Sequence, residues 1–156
     1  MNDMKTYVIT LAKTFPAWHP RKGEPTGFLE KFLNGQTCKE NAKLHTIRAN
    51  YPLWEKRIKE VQNENAVLSV RQWSGRPYAS KQVEIARLTA LDGVGIQKLE
   101  LINVYGCNRL IVGIGDVNFH GLSNNDGLSY QDWANWFKNY VLSQPLAIIH
   151  FTSFRY

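Results

Sequence analysis

Cysteine is scarce: Cys38 and Cys107 are the only two in 156 residues, which excludes a disulfide framework. No stretch approaches the roughly 20 apolar residues that a membrane helix needs, so no membrane partner is expected. The opening segment, MNDMKTYVITLAKTF, has a short apolar run with no small-residue cleavage site behind it, so no secretory leader is expected. A reducing, cytoplasmic setting follows as the expectation. Internal repeats, low-complexity tracts and linkers are all missing, which points to a single domain over residues 1–156. The four histidines, His19, His45, His120 and His150, show neither H-x-x-x-H spacing nor a C-x-x-C companion, so neither a metal nor a cofactor is expected. The glycine pairs at 93–95 and 113–116 do not open a helix after a strand, and read as turns rather than phosphate loops.

What is present is core-forming material and positive charge. The chain is 44% hydrophobic and 12% aromatic, and at this length a fold can bury about two thirds of the surface its unfolded chain exposes. Lysine and arginine number 19 against 13 acids, a formal charge of +6. Such an excess favours polyanionic partners through counterion release, and is equally compatible with a basic domain that binds no nucleic acid.

Residues 7–12 read as a buried strand and 13–25 as a loop. A short helix follows, capped by Thr26, with Phe28, Leu29, Phe32 and Leu33 on one face and Gly35 at its end. Residues 44–48 read as a strand. Pro52 suits the first turn of a second helix, with Leu53, Trp54, Ile58 and Val61 inward. Two hairpins are expected, 66–73 with 81–88 and 98–104 with 109–114. Residues 115–128 read as a loop placed to cover a cleft; it contains Asp116 and Asp126, to which no role is assigned. Ser129 starts the clearest helix, with Trp133, Trp136, Phe137, Tyr140 and Val141 at helical spacing, and 146–154 reads as a last strand. Many strands with few helices, not strictly alternating, indicate an α+β fold with a mostly antiparallel or barrel-like sheet.

The chemistry-bearing cluster is Lys43, Thr46 and Arg48 in KLHTIR, together with Glu84. Thr46 and Arg48 share a strand face, and Lys43 reaches it only from the turn before the strand. Glu84 lies within a largely apolar strand, where a carboxylate must be paired or open to a cleft. A threonine hydroxyl is a weak nucleophile that needs an adjacent base. A lysine serves as that base only when burial or a nearby cation lowers its pKa, and Arg48 is such a cation. The set suits attack on an acyl or amide carbon; a structural or binding role for the same residues stays open. His45 is expected on the opposite face from Thr46, and His150 as a buried core residue. His19, in a basic aromatic loop, is a candidate to line a substrate cleft. Arg71 and Trp73, near a hairpin turn that also holds Arg76, are candidates to grip phosphate and stack on a base.

The segment from LNGQ to KLHTIR, followed by a hairpin whose second strand carries VEIARL, resembles the ASCH domains of the PUA-like superfamily. It is most similar in motif to the small bacterial acetylcytidine amidohydrolases of that group, while the C-terminal stretch looks like the tail of proteins from gut bacteria and their phages. The resemblance implies a PUA-like pseudo-barrel with flanking helices. It also implies a catalytic triad of Lys43, Thr46 and Glu84 that hydrolyses the acetyl amide on the exocyclic nitrogen of a cytosine nucleoside, with Thr46 as nucleophile and Lys43 as base. Modified nucleoside or RNA is then the expected partner. A non-catalytic module that binds RNA or a modified base is the alternative; a nuclease is the third, and no carboxylate cluster for a metal supports it.

Overall fold

The computed structural model describes residues 4–113, 115–140 and 143–156. Among these are eight strands and four helices. The first strand, β1 (Lys5–Leu11), alternates so that Ile9 and Leu11 enter the core. The chain then forms α1 (Phe28–Gln36), β2 (His45–Arg48), α2 (Tyr51–Gln62) and β3 (Ala66–Trp73). Strand β3 runs parallel to β1, from Lys5 opposite Ala66 to Leu11 opposite Gln72. A loop over residues 74–81 returns the chain as β4 (Gln82–Leu88), antiparallel to β3 with a bulge at Val70/Arg71. The first sheet therefore has the order β1-β3-β4.

The second sheet is antiparallel, with the order β2-β8-β5-β6-β7. It comprises β2, β5 (Gly95–Val104), β6 (Cys107–Val112), β7 (Gly115–Val117) and β8 (Leu146–His150). Tyr105 and Gly106 join β5 to β6 with φ of 51° and 82°, the doubly positive pair that matches the twist of a two-residue hairpin. Helices α3 (Phe119–Asn125) and α4 (Tyr130–Phe137) lie between β7 and β8. The core is continuous between the sheets, running from Ile9, Leu68 and Val70 through Phe32 and Ile58 to Ile148, Ile149 and Phe151. This is the α+β architecture expected, mostly antiparallel with flanking helices. The strands form two open sheets rather than a closed barrel, since β1, β4, β2 and β7 remain edges.

Local chemistry explains the boundaries. The Thr26 hydroxyl accepts from Phe28 N–H at 3.2 Å and donates to the Ala12 carbonyl at 2.7 Å, tying α1 to the end of β1. Pro52 sits in the first turn of α2, which Asn50 caps through Leu53 N–H. Ser129 caps α4 by accepting from Asp132 N–H. Four expectations are corrected. The N-cap of α1 is Gly27 rather than Thr26, and no side chain caps it. Leu29, Leu33 and Leu53 are 38–47% exposed, because Phe28, Phe32 and Gly35 of α1 and Trp54, Ile58 and Val61 of α2 fill the narrower stripes that face the core. Residues 115–128 contain a short strand and a helix, since Asn118 caps α3 by accepting from both His120 and Gly121 N–H. The last strand ends at His150 rather than 154. The expected inward position of Val141 and the end of the second hairpin at Ile114 lie outside the described residues. No described helix is long and apolar enough to cross a membrane.

Candidate functional site

Strand β2 is the middle of the site, and both of its faces are buried. His45 pairs with His150 and Thr46 with Ile149 across to β8, so His45 and Thr46 face opposite ways as alternation requires. Lys43 lies just before the strand, as the spacing demanded, with its N–H bonded to the Lys31 carbonyl. Its side chain runs past Gly127, which has φ of 83°. A Cβ on that glycine would stand 3.1 Å from Lys43 Cβ, so residue 127 needs both the left-handed backbone and the missing side chain.

The Lys43 amine is 2% exposed and fully engaged on one side. It donates to the Asp126 carboxylate at 2.8 Å and to the Asp126 carbonyl at 2.6 Å, and stands 4.2 Å from the centre of the Phe28 ring. Burial pushes the Lys43 pKa down; Asp126 opposes this, while Arg48 and Lys31 add to it. Burial alone would raise the Asp126 carboxyl, but the Lys43 ammonium and then His45 hold it below the usual carboxylate range. The pair is therefore an ion pair in a dry setting.

Behind Asp126 lies a chain of polar contacts. His45 Nδ1 is 3.6 Å from the Asp126 carboxylate, and His45 Nε2 is 2.5 Å from the Tyr156 hydroxyl. Asn125 Nδ2 donates to that hydroxyl at 3.2 Å, which leaves the hydroxyl proton for His45 Nε2 and the ring proton on Nδ1, facing Asp126. Burial keeps His45 neutral, with its pKa lowered. His150 donates from Nε2 to Gln97 Oε1 at 2.9 Å, and burial, followed by the nearness of His45, brings its pKa to about 2.

On the Thr46 face a cavity of about 80 Å³ opens among Lys43, Thr46, Arg48, Asp126, Phe28 and Trp136. Arg48 Nη2 donates to the Thr10 carbonyl at 2.8 Å, and Arg48 Nε is buried without a partner. The Thr46 hydroxyl has no hydrogen-bond partner among the described residues, the Lys43 amine included.

Lys43, Thr46 and Arg48 are thus brought together; the other sequence candidates are not. Glu84 is on β4, outside the cavity lining, where its carboxylate accepts from Ser69 Oγ at 2.5 Å and from Arg87 at 3.3 Å. Those two bonds lower its pKa, the Ser69 bond more than the Arg87 bond. Arg71, directly across from Glu84, donates to the same serine at 2.9 Å. Trp73 packs on Tyr78 at 5.2 Å. His19 is 2% exposed and does not line the cavity. It accepts from Arg21 N–H at Nδ1 and so donates from Nε2 to the Asp132 carbonyl at 3.0 Å, pinning its loop to α4. The carboxylate at the site is Asp126, which sequence reasoning left without a role. The signal was charge balance: two cations on one buried segment need an anion.

Among the described residues no group of three or more His, Cys, Asp and Glu side chains is placed to hold a metal ion. Fold and site define a class: an α+β protein with a small cation-lined cavity where two open sheets meet. Compared with family models, curated proteins and solved structures, the chain matches none.

Proposed function

We propose that the protein is an amide hydrolase that removes a short acyl group from the exocyclic amine of a modified cytosine nucleoside. The observation that carries this reading is that Lys43 and Thr46 line one small cavity, with the lysine pKa lowered by burial and by the neighbouring Arg48. In this scheme a proton first shifts within the pair from Lys43 to the Asp126 carboxylate; Thr46 Oγ then attacks the acyl carbon as the neutral Lys43 amine takes the hydroxyl proton. The carbon–nitrogen bond breaks as Lys43 returns that proton to the departing exocyclic nitrogen. Water then hydrolyses the Thr46 ester and releases the carboxylic acid. Asp126, rather than Glu84, orients Lys43 and tunes its charge. Purified protein is expected to deacetylate N4-acetylcytidine, with Thr46→Ala abolishing turnover. Absence of turnover, or an unimpaired Thr46→Ala variant, rejects the reading.

One observation favours a second reading, a non-catalytic module that binds RNA or a modified base. The Lys43 amine already makes two bonds to Asp126 and none to Thr46, so the cavity as it stands presents donors without an activated nucleophile. Salt-sensitive RNA binding without turnover selects this alternative.

A further inference from the structure

Charge in the cavity does not balance. Lys43 and Asp126 cancel as a pair at 2.8 Å, which leaves the Arg48 guanidinium as one positive charge in excess. No described carboxylate lies within ion-pair distance of Arg48; its only described hydrogen bond is from Nη2 to a neutral carbonyl. Its Nε–H is buried and unpartnered, although buried polar groups are nearly always satisfied. The Thr46 hydroxyl, free of described partners, lines the same space. A fixed cation and a free hydroxyl lining one cavity, with an unsatisfied N–H on that same guanidinium, call for an acceptor with negative charge. Size and lining narrow the choice. About 80 Å³ is well below the several hundred Å³ of an ordinary ligand pocket and holds a group of only a few heavy atoms. Phe28, Leu128 and Trp136 supply apolar wall beside the polar donors.

We infer that this cavity is a binding site for a small carboxylate anion, an acetate-sized group with its oxygens on the Arg48 guanidinium and Thr46 Oγ and its methyl against the aromatic wall. The binding claim rests on the cavity alone. Its kinetic consequence rests on the hydrolase reading: acetate, the acid released, would occupy the nucleophile's own space and inhibit turnover competitively.

Acetate titrated into the full chain, followed by amide chemical shifts, is expected to perturb residues around β2 saturably. Arg48→Gln should weaken binding about tenfold or more, the scale of a lost charge-assisted bond. Thr46→Val, which keeps the side-chain shape, should weaken it about threefold. A melting curve for each variant separates lost binding from lost folding. Should Arg48→Gln not fold, Thr46→Val and a bulkier anion decide: inorganic phosphate should bind more weakly than acetate. Failure of acetate to saturate, equal binding by folded Arg48→Gln, or tighter binding of phosphate overturns the assignment. Acetate binding in a protein without deacetylase activity leaves the site standing and removes the hydrolase reading. Turnover that acetate does not inhibit does the reverse.

Discussion

Two clusters in this molecule are built from the same kinds of group, and burial sets them apart. Around Asp126, one carboxylate meets Lys43 and His45 with all three side chains 3% exposed or less. Around Glu84, one carboxylate meets Ser69 and Arg87 with side chains of 36% and 52% exposure for Glu84 and Arg87. Water competes for the Glu84–Arg87 bonds of the second cluster, and exposed pairs of that kind contribute little. In the first cluster burial keeps bulk water away from the charges, so removing one partner strands a charge.

The sharpest way to break the contrast is Asp126→Asn. It should destabilise the protein by about 3–5 kcal/mol at neutral pH, the cost of leaving a buried ammonium unpaired. Chemical denaturation checks this, and the loss should shrink at high pH as Lys43 gives up its proton. The double variant Lys43→Met/Asp126→Leu should recover most of the stability, because neither charge then needs a partner. If the double variant is as unstable as the single, the pair is not the source.

Acid titration gives the next largest effect. His150 stays neutral in the folded protein down to about 2, while the unfolded chain takes up a proton there below about 6.5. Stability conferred by this ring is thus complete above that value and falls with pH below it. The expected loss is about 2 kcal/mol by pH 5 at 2.303RT per unit. His150→Gln should flatten that part of the curve; an unchanged slope assigns it elsewhere. Smaller again is Gly127→Ala, which forces a left-handed alanine against Lys43 and should cost about 1–2 kcal/mol. Its lysine should also be displaced enough to change the pH dependence of any turnover. The smallest effect belongs to Glu84→Gln, which should leave both the unfolding midpoint and the turnover of N-acetylcytidine nearly unchanged. A large loss of turnover in that variant would restore Glu84 to the site in place of Asp126.

Local features were legible in the sequence. The β3–β4 hairpin, a turn after Val104 (expected over 105–108, observed as Tyr105-Gly106 alone), Pro52 in α2 and Ser129 ahead of α4 each announce themselves through short-range backbone chemistry. The position of Lys43 before β2 also followed from strand alternation alone. Pairings between distant segments were not legible. The parallel match of β1 with β3 spans two helices and a strand, and nothing in either segment names the other. Asp126 was hidden for the same reason: it meets Lys43 across 83 residues of chain. Glu84 stands outside the cavity lining; a polar residue in an apolar strand can face a cleft or simply water, and local pattern does not separate the two.

Arg48 belongs to the second sheet, yet its guanidinium holds the Thr10 carbonyl of the first. The cavity walls come from both sheets, with Thr10 and Leu11 on one side and Thr46, Ile47 and Arg48 on the other. The site is therefore a seam, and it exists only while the two sheets stay docked. Mild denaturant or heat that slides one sheet against the other would erase the cavity while every strand keeps its own ladder. Ligand occupancy is thus a gauge of how firmly the halves of the molecule cohere, a property that backbone spectroscopy alone would miss.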